Sequence, residues 1–290
     1  MRRSPARPPR PKAPRGIQIK SLDQIAVMRR AGLVVSAGLE AMAAAAHPGV
    51  TTLELDAVGR DVLASHGAKS SFLRYGAGMG LPPYPGVVCL SVNEEIVHGI
   101  PGPRMLRDGD ILSIDFGAIV DGWHGDAART VVIGEASPKA LELIEATRAA
   151  MWAGVAAVRP GARIGDVSAA IEASAMGHSG RKYGIIREYT GHGIGSAMHQ
   201  PPDVPNWGHP HRGPRIVEGM ALAIEPMLTL GTESVVEAGD EWMVSTADGS
   251  WSAHWEDTVA VMPDGLWVLT EPDGGAAELA ARGVRCAPLP

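Results

Sequence analysis

Five residues spread across the middle of this 290-residue chain could do chemistry together. They are Asp115 in SIDFG, Asp126 in HGDAA, His192 in GHGIG, Glu225 in IEPM and Glu256 in WEDT. The acids lie in or beside apolar runs of strand-like composition. A carboxylate in such a place costs several kcal/mol unless it is paired or holds a metal. Four oxygen-donating acids and one imidazole form a donor set suited to divalent cations. Two such ions in one site activate water for hydrolysis.

Strand alternation gives these acids a common environment. In ILSIDF, Ile111, Ser113 and Asp115 share one face, and Leu112, Ile114 and Phe116 take the other. In ALAIEP, Ala221, Ala223 and Glu225 lie opposite Leu222 and Ile224. In SAHWEDTVA, Ser252, His254, Glu256 and Thr258 lie opposite Ala253, Trp255 and Val259. Each bulky apolar face suits packing under helices, which leaves the acid to look into a cavity. Taken alone, Asp115 or Asp126 reads more simply as a buried acid satisfied by backbone donors or an arginine. Taken together, four acids would repel and raise one another's pKa values unless cations neutralise them.

The elements that must position these residues are legible in outline. Ser21 and Gln24 form a capping box, with Leu22, Ile25, Met28 and Arg29 following at helical spacing. That helix is expected to run to about residue 46 and stop at His47-Pro48-Gly49. A second helix opens at Thr51, with Glu54 three residues on, and ends near His66-Gly67. A third runs from about 137 to 158 and stops at Arg159-Pro160-Gly161; a fourth follows over about 164–175. The two Pro-Gly breaks are 112 residues apart (160 less 48). This weak internal repeat predicts two similar halves about a pseudo-two-fold axis, with a site between them.

Strands are expected over 87–93, 110–120, 127–133, 185–189, 220–228, 241–246, 252–261 and 266–270. Hairpin-type turns are expected at Val120-Asp121-Gly122, Ala247-Asp248-Gly249 and Pro263-Asp264-Gly265. The fold class is α+β, with helices outside a largely antiparallel curved sheet. No Gly-x-Gly-x-x-Gly links a strand to a helix, which argues against a dinucleotide fold.

Composition bounds the rest. Hydrophobic residues make up 45%, enough for a substantial core. Only Cys89 and Cys286 occur, which argues against a disulfide framework and fits a reducing cytoplasm. No apolar run is long enough to span a bilayer, and the N-terminus lacks the apolar segment of a secretory signal. Residues 1–16 carry six basic groups and no acid. The remainder holds 20 basic (26 less 6) against 32 acidic residues, so the body is not a nucleic-acid binder by charge. The leader has prolines at 5, 8, 9, 11 and 14 and is expected to be extended and disordered. It reads as a solvated leader, or more sharply as a docking segment for ribosomal RNA or a proline-reading domain. A single catalytic domain is expected over 17–272, followed by a C-terminal tail over 273–290.

The ordered set VHGIP (97–101), SIDFG (113–117), Asp126, GHGIG (191–195), Met198-His199, IEPM (224–227) and WEDT (255–258) resembles type I methionine aminopeptidases. The resemblance covers roughly residues 17–270. Each motif is short, but their order together is highly specific. It implies the pita-bread fold, with two pseudo-symmetric halves and helices covering a curved, mainly antiparallel sheet. It also implies a dinuclear centre that removes initiator methionine from nascent chains with a small second residue, using a hydroxide shared by both ions. By motif, Asp115 would chelate one metal, His192 and Glu225 the other, and Asp126 and Glu256 would bridge ions about 3–4 Å apart. Hard oxygen ligands with one imidazole admit Co²⁺, Mn²⁺, Fe²⁺ or Zn²⁺. Glu225 would guide the water proton. His98 and His199 resemble the family's two non-ligand histidines, one at the scissile amide and the other at the carbonyl oxygen.

The resemblance places Tyr84, Cys89 and Trp242 in the walls of a methionine pocket, with Phe72, Tyr75 and Met198 as further candidates. Burying a methionine side chain is worth about 1.5–3 kcal/mol, and its thioether gains from aromatic edges. His124, His209, His211 and His254 match no family position, and solvated or hydrogen-bonded roles are expected for them. Three departures stand out. Asp257 replaces a common histidine, though alternation points it away from the metals. Met198 replaces a frequent aromatic. The stretch 76–83 is longer than the family's loop and bears on substrate access. The implied setting is a cytoplasmic monomer, off the membrane, that contacts the ribosome through its basic leader. Two alternatives stay open. A proline-specific peptidase of the same fold usually has an extra N-terminal domain, and only sixteen residues precede the body here. A non-catalytic binder of nascent chains or ribosomes typically loses ligands, and none of the five is lost.

Overall fold

A computed structural model describes residues 16–180 and 182–289. Apart from Gly16, the expected disordered leader therefore lies outside the described residues. Helices α1 (Leu22–Ala45) and α2 (Thr52–Ser65) both open on the capping boxes legible in the sequence. Glu54 Oε2, for example, accepts from the Thr51 backbone N–H at 2.8 Å. Helices α3 (Pro138–Ala157) and α4 (Ile164–Gly177) repeat the arrangement, and α5 (Ala276–Ala281) closes the chain.

The first half carries β1 (Lys69–Ser70), β2 (Val88–Val92), β3 (Glu95–Val97), β4 (Ile111–Val120) and β5 (Trp123–Val132). The second half opens with β6 (Gly184–Ile185), β7 (Gly191–Gly193), β8 (Gln200–Val204), β9 (Ala221–Ile224) and β10 (Met227–Thr229). It ends with β11 (Val235–Glu237), β12 (Val244–Thr246), β13 (Ser252–His254), β14 (Asp257–Met262) and β15 (Gly265–Val268). Strand β4 pairs with β5 on one edge and with β1 and β2 on the other. A five-stranded sheet runs β15-β14-β9-β7-β8, and two three-stranded sheets run β13-β10-β6 and β11-β12-β3. Every strand pair in these sheets is antiparallel.

The expected repeat corresponds to two helix pairs, each over its own core. Val35, Leu39 and Met42 of α1 and Leu55 of α2 pack on Leu112, Ile114 and Phe116, the apolar face of β4. Met151, Trp152 and Val155 of α3 and Ile171 of α4 pack with Leu222, Ile224, Ala253 and Val259. The bulky faces thus lie under helices, as alternation predicts.

Several expected elements are altered. Strand β5 starts at Trp123 rather than 127, because Asp121 and Gly122 both have positive φ (49° and 80°). Such a turn matches strand twist and lets Val120 pair with Trp123 at once. The turn at 247–249 is not a hairpin, since β12 pairs with β11 and β3 while β13 pairs with β10. The run 185–189 shrinks to β6, and β1, β3, β7, β8 and β11 were not expected; β1, β3, β7 and β11 are too short to show alternation, and Pro201 and Pro202 mask β8. Of the segment 273–290, expected as a tail, the described residues 273–289 are folded onto the body. Leu279 of α5 is buried in the second core, and Cys286 bridges to Leu266. A six-residue helix with one apolar anchor has no readable period.

The expected strands 220–228 and 252–261 are each interrupted, and the interruptions face each other. Ile224 pairs with Asp257, and Met227 with His254, so one register continues through the break. In that register Glu225 stands opposite Glu256. Trp255 N–H donates to Pro226 O at 3.3 Å, and Pro226 has no N–H to return. Like charges directly across a ladder are also destabilising. Glu256 bridges instead to Ala128 of β5, donating to its carbonyl at 2.9 Å.

Phe116 lies between α1 and α2. A Cβ on Gly38 would come within 2.3 Å of the Phe116 ring. Gly38→Ala is expected to cost about 1–3 kcal/mol by overpacking, with part of the loss recovered by adding Phe116→Leu. Thermal melts of the single and double variants decide; strictly additive losses would show that this contact does not set the helix-to-sheet distance.

Candidate metal centre

Register brings the acids into a row. Asp115 of β4 pairs with Ala128 of β5, Ala128 bridges to Glu256, and Glu256 faces Glu225. Asp126 is two residues before Ala128 and so shares its face. His192 on β7 pairs with Ala223, two residues before Glu225. All five candidate ligands line a single cavity of about 340 Å³.

The donor atoms are close, and three of the acids carry an unsatisfied oxygen. Those of Asp126, His192 and Glu256 lie within 4.8 Å of one another. His192 Nε2 is 3.4 Å from Glu225 Oε1. Its Nδ1 is 3.0 Å from the Gly193 carbonyl. Donation there orients the ring and leaves the Nε2 lone pair facing the acids. Asp115 Oδ1, Asp126 Oδ1 and Glu256 Oε1 are buried without hydrogen-bond partners.

Burial pushes Asp115 well above the usual carboxylate range, and the Asp126 charge adds to it. Burial raises Asp126 to about 7. Glu225 and Glu256 are likewise driven well above their ordinary value, first by burial and then by the other acids. Burial lowers His192 to about 3, so its imidazole is neutral at physiological pH. A set of orphaned carboxylate oxygens beside a neutral imidazole fits divalent metal well. It fits an unmetallated ion-pair network poorly, since among the described residues no lysine or arginine lines the cavity.

His98 and His199 also line the cavity. His98 sits at φ 61°, an unusual conformation for a non-glycine residue, with its ring edge-on to Trp242 at 6.0 Å and to Tyr189 at 5.5 Å. His199 Nδ1 is 2.6 Å from Tyr75 Oη, which leaves Nε2 as its free nitrogen. The six pocket candidates come together as well. Phe72, Tyr84, Cys89, Met198 and Trp242 form one apolar cluster, with Tyr75 packed against it, and all six line the cavity. Tyr84 Oη donates to Gly99 O at 2.8 Å, and Trp242 Nε1 to Pro82 O at 3.0 Å, so their polar tips are satisfied in the walls. The loop containing 76–83 thus holds Trp242 in the cavity wall.

Other side chains were not legible as functional. Arg129 of β5 donates to Asp257 Oδ1 and Glu271 Oε1, each at 2.7 Å, and also binds the Glu256 carbonyl. Asp257 therefore lies off the cavity lining, as alternation predicts, and its ion pair anchors the backbone that carries Glu256. Only the fold joins Arg129 to residues more than a hundred positions away. His124 is hydrogen-bonded to Ser71 Oγ at 2.9 Å, in line with its expected role. His254 is not. It is buried in the cavity wall, and its Nε2 lacks a hydrogen-bond partner. The alternation that put His254 on the face of Glu256 was the available signal.

The acids' raised values carry a pH consequence. A folded-state value above the unfolded one lends stability at low pH and loses it as pH rises through the folded value. The buried neutral histidines act oppositely, losing stability as pH falls, so above about pH 7 the acids dominate. The chelated protein is expected to melt at progressively lower temperature from about pH 7 to 9. The rise in melting temperature on adding Mn²⁺ or Co²⁺ should grow over the same interval. Differential scanning calorimetry measures both, and a metal-induced rise independent of pH would contradict the proposed linkage.

Known proteins resemble this chain in sequence and fold. The sequence profile of metallopeptidase family M24 matches residues 26–263. Methionine aminopeptidase 1 of Mycobacterium tuberculosis is 48% identical over 255 residues, spanning 87% of this chain and 94% of its own length. The crystal structure of methionine aminopeptidase from Rickettsia prowazekii matches with a TM-score of 0.83 at 36% identity, covering 88% of this chain and all of that one. Prolidase from Pyrococcus furiosus matches with a TM-score of 0.66 at 20% identity, covering 87% of this chain and 65% of that one; this likeness is one of fold. The chain belongs to metallopeptidase family M24, and its kinship within the family is with the methionine aminopeptidases.

Proposed function

We propose that this protein removes the N-terminal methionine of newly made polypeptides as a dinuclear metallohydrolase. The observation that carries this reading is the juxtaposition of four carboxylates, Asp126 and Glu256 buried and Asp115 and Glu225 half-buried, and a neutral imidazole with an apolar wall that suits a methionine side chain. Asp115 would hold one ion, His192 and Glu225 the other, and Asp126 and Glu256 both. Co²⁺, Mn²⁺, Fe²⁺ and Zn²⁺ all suit this donor set. Two such ions lower the pKa of water and polarise the scissile carbonyl.

The chain's own groups do the rest. The cluster of Tyr84, Cys89 and Trp242 buries the methionine thioether against aromatic edges. Glu225 accepts the proton of the attacking water and passes it toward the departing amine. Tyr75 occupies Nδ1 of His199, so His199 Nε2–H can donate to the carbonyl oxygen as negative charge develops. His98 faces the scissile amide. Burial lowers the pKa of both histidines, His98 to about 4, and keeps them neutral hydrogen-bonding groups.

Met-Ala-x peptides are expected to yield free methionine when Co²⁺, Mn²⁺ or Fe²⁺ is supplied, and x-Pro peptides to be left intact, as read by mass spectrometry. No turnover with any metal would refute the proposal, and preferential x-Pro cleavage would favour the proline-specific alternative. In the same assay Asp126→Ala should lose at least one ion and nearly all turnover.

Among the described residues no helix is long and apolar enough to cross a membrane. The proposed setting is a cytoplasmic monomer whose leader, with six basic groups in residues 1–16, contacts ribosomal RNA. Deleting the leader should abolish salt-sensitive co-sedimentation with ribosomes and spare peptide turnover; unchanged co-sedimentation would dismiss the contact.

A further inference from the structure

We propose that His254 is an additional nitrogen ligand of the metal centre, on the side of Glu225. The inference rests on the dinuclear reading above and adds a residue to it.

Position comes first. Beside the row of acids runs a second row, in which Ser113 of β4 pairs with Thr130 of β5 and Thr130 clamps His254 of β13. The His254 N–H donates to Thr130 Oγ1 at 2.9 Å, and that hydroxyl donates to His254 O at 2.8 Å. The backbone beneath the imidazole is thus fixed from both sides. The residue is 2% exposed, and its Nε2 has no hydrogen-bond partner. A buried polar nitrogen in that state is destabilising unless something completes it.

Distance then selects what completes it. His254 Nε2 lies 3.6 Å from Glu225 Oε2. On the other side of the same carboxylate, His192 Nε2 lies 3.4 Å from Oε1. Both separations exceed a hydrogen bond. They match two donor atoms sharing one ion, which sit about 3–3.5 Å apart when each bond is about 2.1 Å. The donor atoms of Glu225, His254 and Glu256 all lie within 4.8 Å of one another, as do those of Asp126, His192 and Glu256. Glu256 is common to both triads, and each contains one imidazole. A second imidazole shifts the donor set toward borderline ions such as Co²⁺ and Zn²⁺ and away from Mn²⁺.

The test uses the full-length protein loaded with Co²⁺. Proton NMR counts the paramagnetically shifted, exchangeable imidazole N–H resonances, and calorimetric titration reads affinity. Wild type is expected to show two such resonances, and His254→Ala and His254→Gln one each, with Co²⁺ affinity weaker by at least about 10-fold in both variants. A single resonance in wild type would overturn the proposal without any variant. So would wild-type affinity in His254→Gln with a loss only in His254→Ala, because a side chain without an imidazole would then suffice. Should wild type bind no Co²⁺ at all, the dinuclear reading itself fails and the ligand role falls with it.

Discussion

Repulsion among four carboxylates crowded into one cavity is the constraint around which this molecule is arranged. Desolvation raises all four, and Asp115, Glu225 and Glu256 are raised further by acidic neighbours, so the set is tolerable only as neutral acids or around cations. The repulsion also bears on the backbone. Glu225 and Glu256 fall opposite each other in an otherwise continuous ladder, and there the ladder opens. The opening turns a liability of strand pairing into a pair of donors aimed at one point.

Rigidity comes from the two layers outside. Each helix pair has its own core, so the β4–β5 hairpin and the second-half strands are braced independently and meet at the cavity. Close approach is part of that bracing. Gly125 of β5 lies so near α1 that a Cβ there would come within 2.7 Å of the Gly32 nitrogen. Arg129 then ties the two halves together, reaching from β5 to Asp257, Glu271 and the Glu256 carbonyl. Its guanidinium also lies over Trp255 at 5.1 Å, which further orders the interrupted strand. The apolar cluster of Phe72, Tyr84, Cys89, Met198 and Trp242 is small and separate from both cores, as befits a surface meant to receive a side chain.

Local signals in the chain were readable where one residue or one short period decides them. The capping boxes at Ser21 and Thr51, the Pro-Gly stops and the Asp121-Gly122 turn depend on neighbours within four positions. Alternation likewise put Leu112, Ile114 and Phe116 under helices and Asp115 on the other face. Strands such as β7 escaped notice because three residues carry no period, although His192 sits on one. The helix α5 escaped because Leu279 is its single buried anchor.

By itself, the sequence determined which side chains share a face and which residue types could hold a metal, since both follow from covalent geometry and donor chemistry. Only the tertiary structure decided which faces meet. The row Asp115–Ala128–Glu256–Glu225, the clamp of Thr130 on His254 and the reach of Arg129 all join residues separated by more than ten and up to 142 positions. Register between distant strands is set by the sum of many packing contacts in two cores, and no window of sequence contains that sum.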